Sequence, residues 1–224
     1  MTKSKTLRKT TTLAMIAAAL ACNVAISGVA SAQTIIDTWK DVKVPAPPEL
    51  KAVKVDLPTT ALLLLDFNGA QDPTKGPCNS KTKPRCLESL PKVAKLLSEA
   101  RAKGMLVVYS LAGAGTKADI ATVLAPGDGE AIVKSGPDKF VNTDLGKILA
   151  AKGIKNVIVT GTASEGAVLA TASDAAFHGM NIILPVDGMS STEFYAEQYV
   201  AWHMTHAPGV AAKTTLTTID MISF

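Results

Sequence analysis

The sequence is poor in the residues that most often build metal centres, with three cysteines and three histidines among 224 residues. Cys78 and Cys86 have no histidine or further cysteine close in sequence, which argues against a zinc site. His203 and His206 form an H-x-x-H pair within YVAWHMTH, but no third ligand accompanies them, and the surrounding Met, Trp and Tyr read as helix packing. Beyond residue 32 the chain also lacks a surplus of either charge. The first 32 residues carry only basic charges (Lys3, Lys5, Arg8, Lys9), and the remainder balances 19 Lys and Arg against 19 Asp and Glu. That balance favours neither nucleic acid nor an anionic membrane as partner. The apolar run at 13–26, LAMIAAALACNVAI, is too short to span a membrane comfortably. No internal repeat or low-complexity tract follows it.

What is present at the start reads as an export signal. A basic stretch precedes the apolar run, and Ala30-Ser31-Ala32 before Gln33 fits an A-x-A cleavage site. The expectation is a signal peptide over 1–32 and a periplasmic or secreted mature chain. A retained anchor, or a lipoprotein cut between Ala21 and Cys22, is the alternative. Export leaves Cys78 and Cys86, flanking the polar stretch NSKTKPR. In an oxidising compartment they are expected to pair, although two separate thiols are the other reading. A loop this short is worth about 2.5 kcal/mol in the chain-entropy model.

Residues 33–58 contain VPAPPEL and few periodic apolar positions, and prolines 45, 47 and 48 break helix and sheet. This is expected to be an extended arm on a domain spanning 59–224. The regular pattern begins with ALLLLD at 61–66, continuously apolar like a strand buried on both faces. Further strands are expected at 105–111, 131–133, 156–160, 181–186 and 214–219. Helices are expected at 90–103, 144–152, 167–178 and 192–206, the first three closed by Gly104, Gly153 and Gly179. The alternation predicts a single three-layer, Rossmann-like α/β domain with a mostly parallel six-stranded sheet covered on both faces. Ligands of such sheets bind beyond the carboxyl ends of the strands. That rule selects 66–68, 110–115, 134–139, 161–167 and 187–191.

Three of these segments carry a pattern. VIVTGTASEGAVLATASDAAFHGMNIILPVD (157–187), LLLLDF ending at Asp66, and Lys134 followed by Phe140, Thr143 and Leu145 resemble the isochorismatase-like (cysteine hydrolase) family over roughly residues 58–222. The resemblance implies a catalytic aspartate at Asp66, a lysine at Lys134 paired with it, and a nucleophilic cysteine at the start of the helix after residue 166. Here Ala167 occupies the cysteine's place, so the covalent amidase route is closed. Isochorismatases proper also lack the cysteine, and hydrolyse a vinyl ether by aspartate-assisted protonation and water attack.

The resemblance further implies a cis peptide at Thr162–Ala163 and a turn, Gly161–Ala167, whose backbone N–H groups suit an anion or a developing oxyanion. An ordinary strand-to-helix turn capped by Ser164 is the plainer reading. Glu165 is either a general base for water or a surface acid that favours the helix dipole. Asn68, Lys139, Phe140, Thr162, Ala163, Gly166 and Ala167 are the expected substrate contacts, with Lys139 reaching an acidic substrate or lying exposed on its loop. The Asp-x-His cluster of nicotinamidase-like members is absent from 109–117, YSLAGAGTK. The expectation is therefore no cofactor and no required metal. The family resemblance also implies a homo-oligomer. Two functions remain: a hydrolase without a protein nucleophile, with Asp66, Lys134 and Glu165 as candidate catalytic residues, and a non-catalytic small-molecule-binding protein on the same fold.

Overall fold

The computed structural model describes residues 33–224. The expected signal peptide and Cys22 lie outside the described residues. One compact unit spans Ala46–Phe224, and the other ends at Pro45. In the latter, the described residues hold one 3-10 turn, Trp39–Asp41. The larger unit starts before the expected boundary at 59. The Lys51 N–H donates to the Leu216 carbonyl at 2.9 Å. Val53–Lys54 (β1) pairs in parallel with Ile222–Ser223 (β9) in a small second sheet.

The main sheet contains β2 (Thr60–Leu65), β3 (Leu106–Leu111), β4 (Ala131–Lys134), β5 (Asn156–Thr162), β6 (Asn181–Pro185), β7 (Met189–Ser190) and β8 (Thr214–Thr217). Its order is β4-β3-β2-β5-β6-β8, with β7 paired to β5, and every pairing is parallel. The six expected strands are all present. The seventh, β7, lines up beside Gly161 and Thr162, where β6 no longer pairs with β5. A two-residue strand has no periodicity to read.

All six β2 residues are buried, and alternate ones serve opposite faces. Leu62 and Leu64 join Val107 and Tyr109 against Val93, Leu96, Leu97 and Ala100 of α1 (Pro84–Ala102). Ala61, Leu63 and Leu65 join Val157 and Val159 against three helices. These are α2 (Leu145–Ala151), α3 (Leu169–Phe177) and α4 (Phe194–His206). α1 begins six residues before the apolar spacing suggests. Pro84 occupies its first turn, where a missing N–H costs nothing, and Pro91 falls on its exposed side. Among the described residues, no helix is long and apolar enough to cross a membrane.

Candidate functional site

Asp66 follows the last residue of β2, in the sheet's centre. Its φ of +58° takes the chain out of strand geometry there, a left-handed conformation that aspartate tolerates better than most residues. Period-two alternation therefore stops fixing the direction of its side chain. The Asp66 backbone N–H donates to the Ser110 carbonyl at 3.3 Å and to Ser110 Oγ at 3.2 Å. Ser110 Oγ in turn donates to Asp66 Oδ1 at 2.6 Å. The other carboxylate oxygen, Oδ2, accepts from an ammonium at 2.7 Å.

That ammonium belongs to Lys139, not to Lys134. Lys134 ends the edge strand β4, with β3 between it and β2. Its side chain is exposed and donates to the Gly115 carbonyl at 3.0 Å. The loop after β4 instead brings Lys139 inward until its side chain is 0% exposed. Lys139 Nζ also donates to the Gly136 carbonyl at 2.8 Å, and its backbone N–H to Thr171 Oγ1 on α3 at 3.1 Å. Thr171 Oγ1 donates to the Pro137 carbonyl at 3.3 Å, clipping the lysine loop to the helix. The motif spacing around Phe140 pointed to Lys134. Lys139, expected to reach an acidic substrate or to lie exposed on its loop, is instead buried against the Asp66 carboxylate.

Burial holds the Asp66 carboxyl above its ordinary pKa, while the Lys139 charge and hydrogen bonds from Lys139 and Ser110 pull it down. With both oxygens engaged and the residue 4% exposed, the carboxyl is oriented before any ligand arrives.

The second half of the corner comes from β5. The Thr162–Ala163 peptide is cis. A π-helical segment, Ser164–Val168, follows and runs into α3. Ala167, at the expected nucleophile position, is buried within that segment, and Thr162 is buried before it. Gly161 brings β5 close to β2: a Cβ there would lie 2.4 Å from the Leu65 carbonyl oxygen. Asp66 and the 162–167 turn thus leave adjacent strands at one level.

Other expected residues are placed differently. Glu165 is exposed in the first turn of the segment, the position of a helix-start acid. Asn68 is buried, and its side-chain amide is engaged with the Ala112 backbone, accepting at 3.1 Å and donating at 3.3 Å. It fastens the loop after β2 to the loop after β3. Phe140 packs partly buried against the helical face, its ring 5.1 Å from that of His178. Gly166 is half-buried. Cys78 and Cys86 form a disulfide joining the loop after β2 to the first turn of α1. On their own helix, His206 stacks on Trp202, and His203 packs against Tyr199 with its ring tilted by 54°.

A family model described as the isochorismatase domain matches residues 60–218. The chain belongs to the isochorismatase family. It is 33% identical over 116 residues to the secreted isochorismatase effector Isc1 of Verticillium dahliae, covering 47% of this chain and 61% of that protein. It is 33% identical over 111 residues to a streptothricin hydrolase of Streptomyces noursei, covering 45% and 44%. The chain thus spans about half the length of the curated relatives it matches. An isochorismatase family protein from Desulfovibrio vulgaris shares the fold, with a TM-score of 0.63 at 20% identity, over 72% of this chain and 95% of that one.

Proposed function

We propose that this isochorismatase-family chain is an exported hydrolase of a small organic molecule that works without a covalent enzyme intermediate. The observation that carries the reading is the buried Asp66–Lys139 pair beside a turn that has Ala167 where a nucleophile would sit. A buried ion pair adds little net stability over an apolar pair of similar volume, so its retention at the carboxyl ends of the central strands points to chemistry. Asp66 takes a proton from water as the oxygen adds to the electrophilic carbon, or gives one to the leaving heteroatom. Burial, which raises its pKa, suits a group that both holds and releases a proton. Lys139 keeps the carboxylate's charge compensated and Ser110 fixes its orientation. Glu165, being exposed, takes no part in this scheme.

A secreted relative supports export, and the streptothricin hydrolase relative supports hydrolysis of a small molecule. The near-complete enclosure of the Asp66 carboxyl favours a second reading, a binding protein that keeps the pair without turnover. Screening small esters, amides and enol ethers separates the two. With a substrate in hand, Asp66→Asn should lower turnover about 10²–10⁴-fold, the usual worth of a positioned proton-transfer group. Thiol-alkylating reagents should leave activity unchanged. Full activity in Asp66→Asn would sink the mechanism. Failure of every substrate class, with small-molecule binding intact, would establish the binding protein.

A further inference from the structure

Among the described residues, three buried side-chain polar atoms have no hydrogen-bond partner, the hydroxyls of Ser164, Ser190 and Ser191. They are gathered in one place. Ser164 follows the Thr162–Ala163 bond and opens the π-helical segment. Ser190 in β7 is the ladder partner of Thr162, Ser191 comes next, and β7 packs against that same segment. The three residues are 0%, 2% and 2% exposed. Four buried hydroxyls elsewhere in the domain are satisfied: Ser89 donates to the Cys86 carbonyl, Ser110 to Asp66, Thr160 to the Leu63 carbonyl and Thr171 to the Pro137 carbonyl. A buried hydroxyl without a partner costs free energy, and three in one corner call for a common cause.

The enclosed charges beside this corner are already matched, while Lys83, which donates to Thr192 Oγ1, and the exposed Glu165 lie toward solvent. Glu197 accepts from the Ser191 backbone N–H at 2.8 Å and from two nitrogens of Arg85, and Lys139 is held by Asp66. An ionic group brought in here would be buried with no enclosed counter-charge, whereas hydroxyls both donate and accept toward a neutral one.

We propose that Ser164, Ser190 and Ser191 form a specificity subsite beside the Asp66 corner. It takes an uncharged hydrogen-bonding group of the substrate: an amide, a carbonyl or a hydroxyl. The proposal deepens the hydrolase reading and rests on it for the word substrate, but its test does not need turnover. The probes are acetamide and acetate, equal in shape and different in charge, titrated by ligand-observed NMR against the exported chain. They are also titrated against Ser190→Ala and a Ser164→Ala/Ser190→Ala/Ser191→Ala triple variant. Acetamide is expected to bind at least about tenfold more tightly than acetate, and the triple variant to lose at least about tenfold, the worth of one well-made hydrogen bond. The melting temperature of the triple variant is expected not to fall, since no native partner is removed. Equal binding of the two probes, unchanged acetamide binding in the triple variant, or no acetamide binding would overturn the subsite. A lowered melting temperature would do so too, by showing that the hydroxyls have internal partners. Loss of acetamide binding in the triple variant, together with no turnover of any substrate class, would leave the subsite standing and the hydrolase reading fallen.

Discussion

The two halves of the candidate site handle burial in opposite ways. At the end of β2 an aspartate and a lysine are almost fully enclosed, and each has its hydrogen bonds met: two on the carboxylate from Ser110 and Lys139, and a second from the ammonium to Gly136. At the end of β5, beside β7, three serine hydroxyls are enclosed as tightly and have none. The difference follows from what each group risks. An unpaired charge in the interior costs several kcal/mol and rearranges its surroundings or neutralises. An unpaired hydroxyl costs about 1–3 kcal/mol, which a folded domain can carry until a ligand removes it. The charged half is therefore built to hold still, and the uncharged half is left open to a visitor.

The largest effect that would break this comparison lies with the lysines. Lys139→Met should cost about 3–5 kcal/mol in urea denaturation, because it leaves Asp66 buried without its counter-charge. Lys134→Met should stay within about 0.5 kcal/mol, as expected of an exposed side chain. The reverse ranking would return the ion pair to Lys134.

A pH series tests which force sets the charged half. Burial raises the folded-state pKa of Asp66 above its unfolded value, ordinarily about 3.9. The folded form then holds that proton more tightly, so ionised Asp66 costs stability above the folded pKa. The cost disappears as pH falls below the unfolded value. The stability of wild type relative to Asp66→Asn should accordingly improve as pH drops through that window. A relative loss on acidification would mean that the Lys139 charge outweighs burial.

The smallest effects give the sharpest contrast between two serines. Ser110→Ala removes a hydrogen bond to a charged group and should cost about 1.5–3 kcal/mol. Ser190→Ala removes a hydroxyl that bonds to nothing, and should fall within about 0.5 kcal/mol of wild type or improve on it. Equal losses at the two positions would erase the distinction between the halves.

Much of the fold was legible because its signals are long and repetitive. ALLLLD reads as a doubly buried strand, and the glycines that close helices at 104, 153 and 179 mark where the chain turns back. The elements that were not legible are short or depend on distant partners. β7 and the β1–β9 pair are two residues each, and only their neighbours make them strands. At the site, Asp66 and the 162–167 turn were visible because they sit at the ends of recognisable strands. Lys139 was visible as a candidate substrate contact but not as the partner of Asp66, because its burial is decided by a loop that folds back onto α3 and is fastened there by Thr171. A residue count from Phe140 cannot report that fold-back. The partnerless serines were equally silent, since serine in sequence says nothing about whether its hydroxyl will find an acceptor.

Gly161 has a consequence for how this corner can change over generations or in a designer's hands. Its φ of +146° and the 2.4 Å approach of a would-be Cβ to the Leu65 carbonyl bar every side chain at that position. Gly166, five residues on, has only the Ala163 methyl within reach, at 3.9 Å. The two glycines read alike in the sequence, yet one admits no side chain and the other is open ground. Ala167 lies next to the open one. A new reactive group could therefore be tried at 166 or 167 while the strand pairing that carries Asp66 stays untouched, which leaves this scaffold short of a nucleophile without being closed to acquiring one.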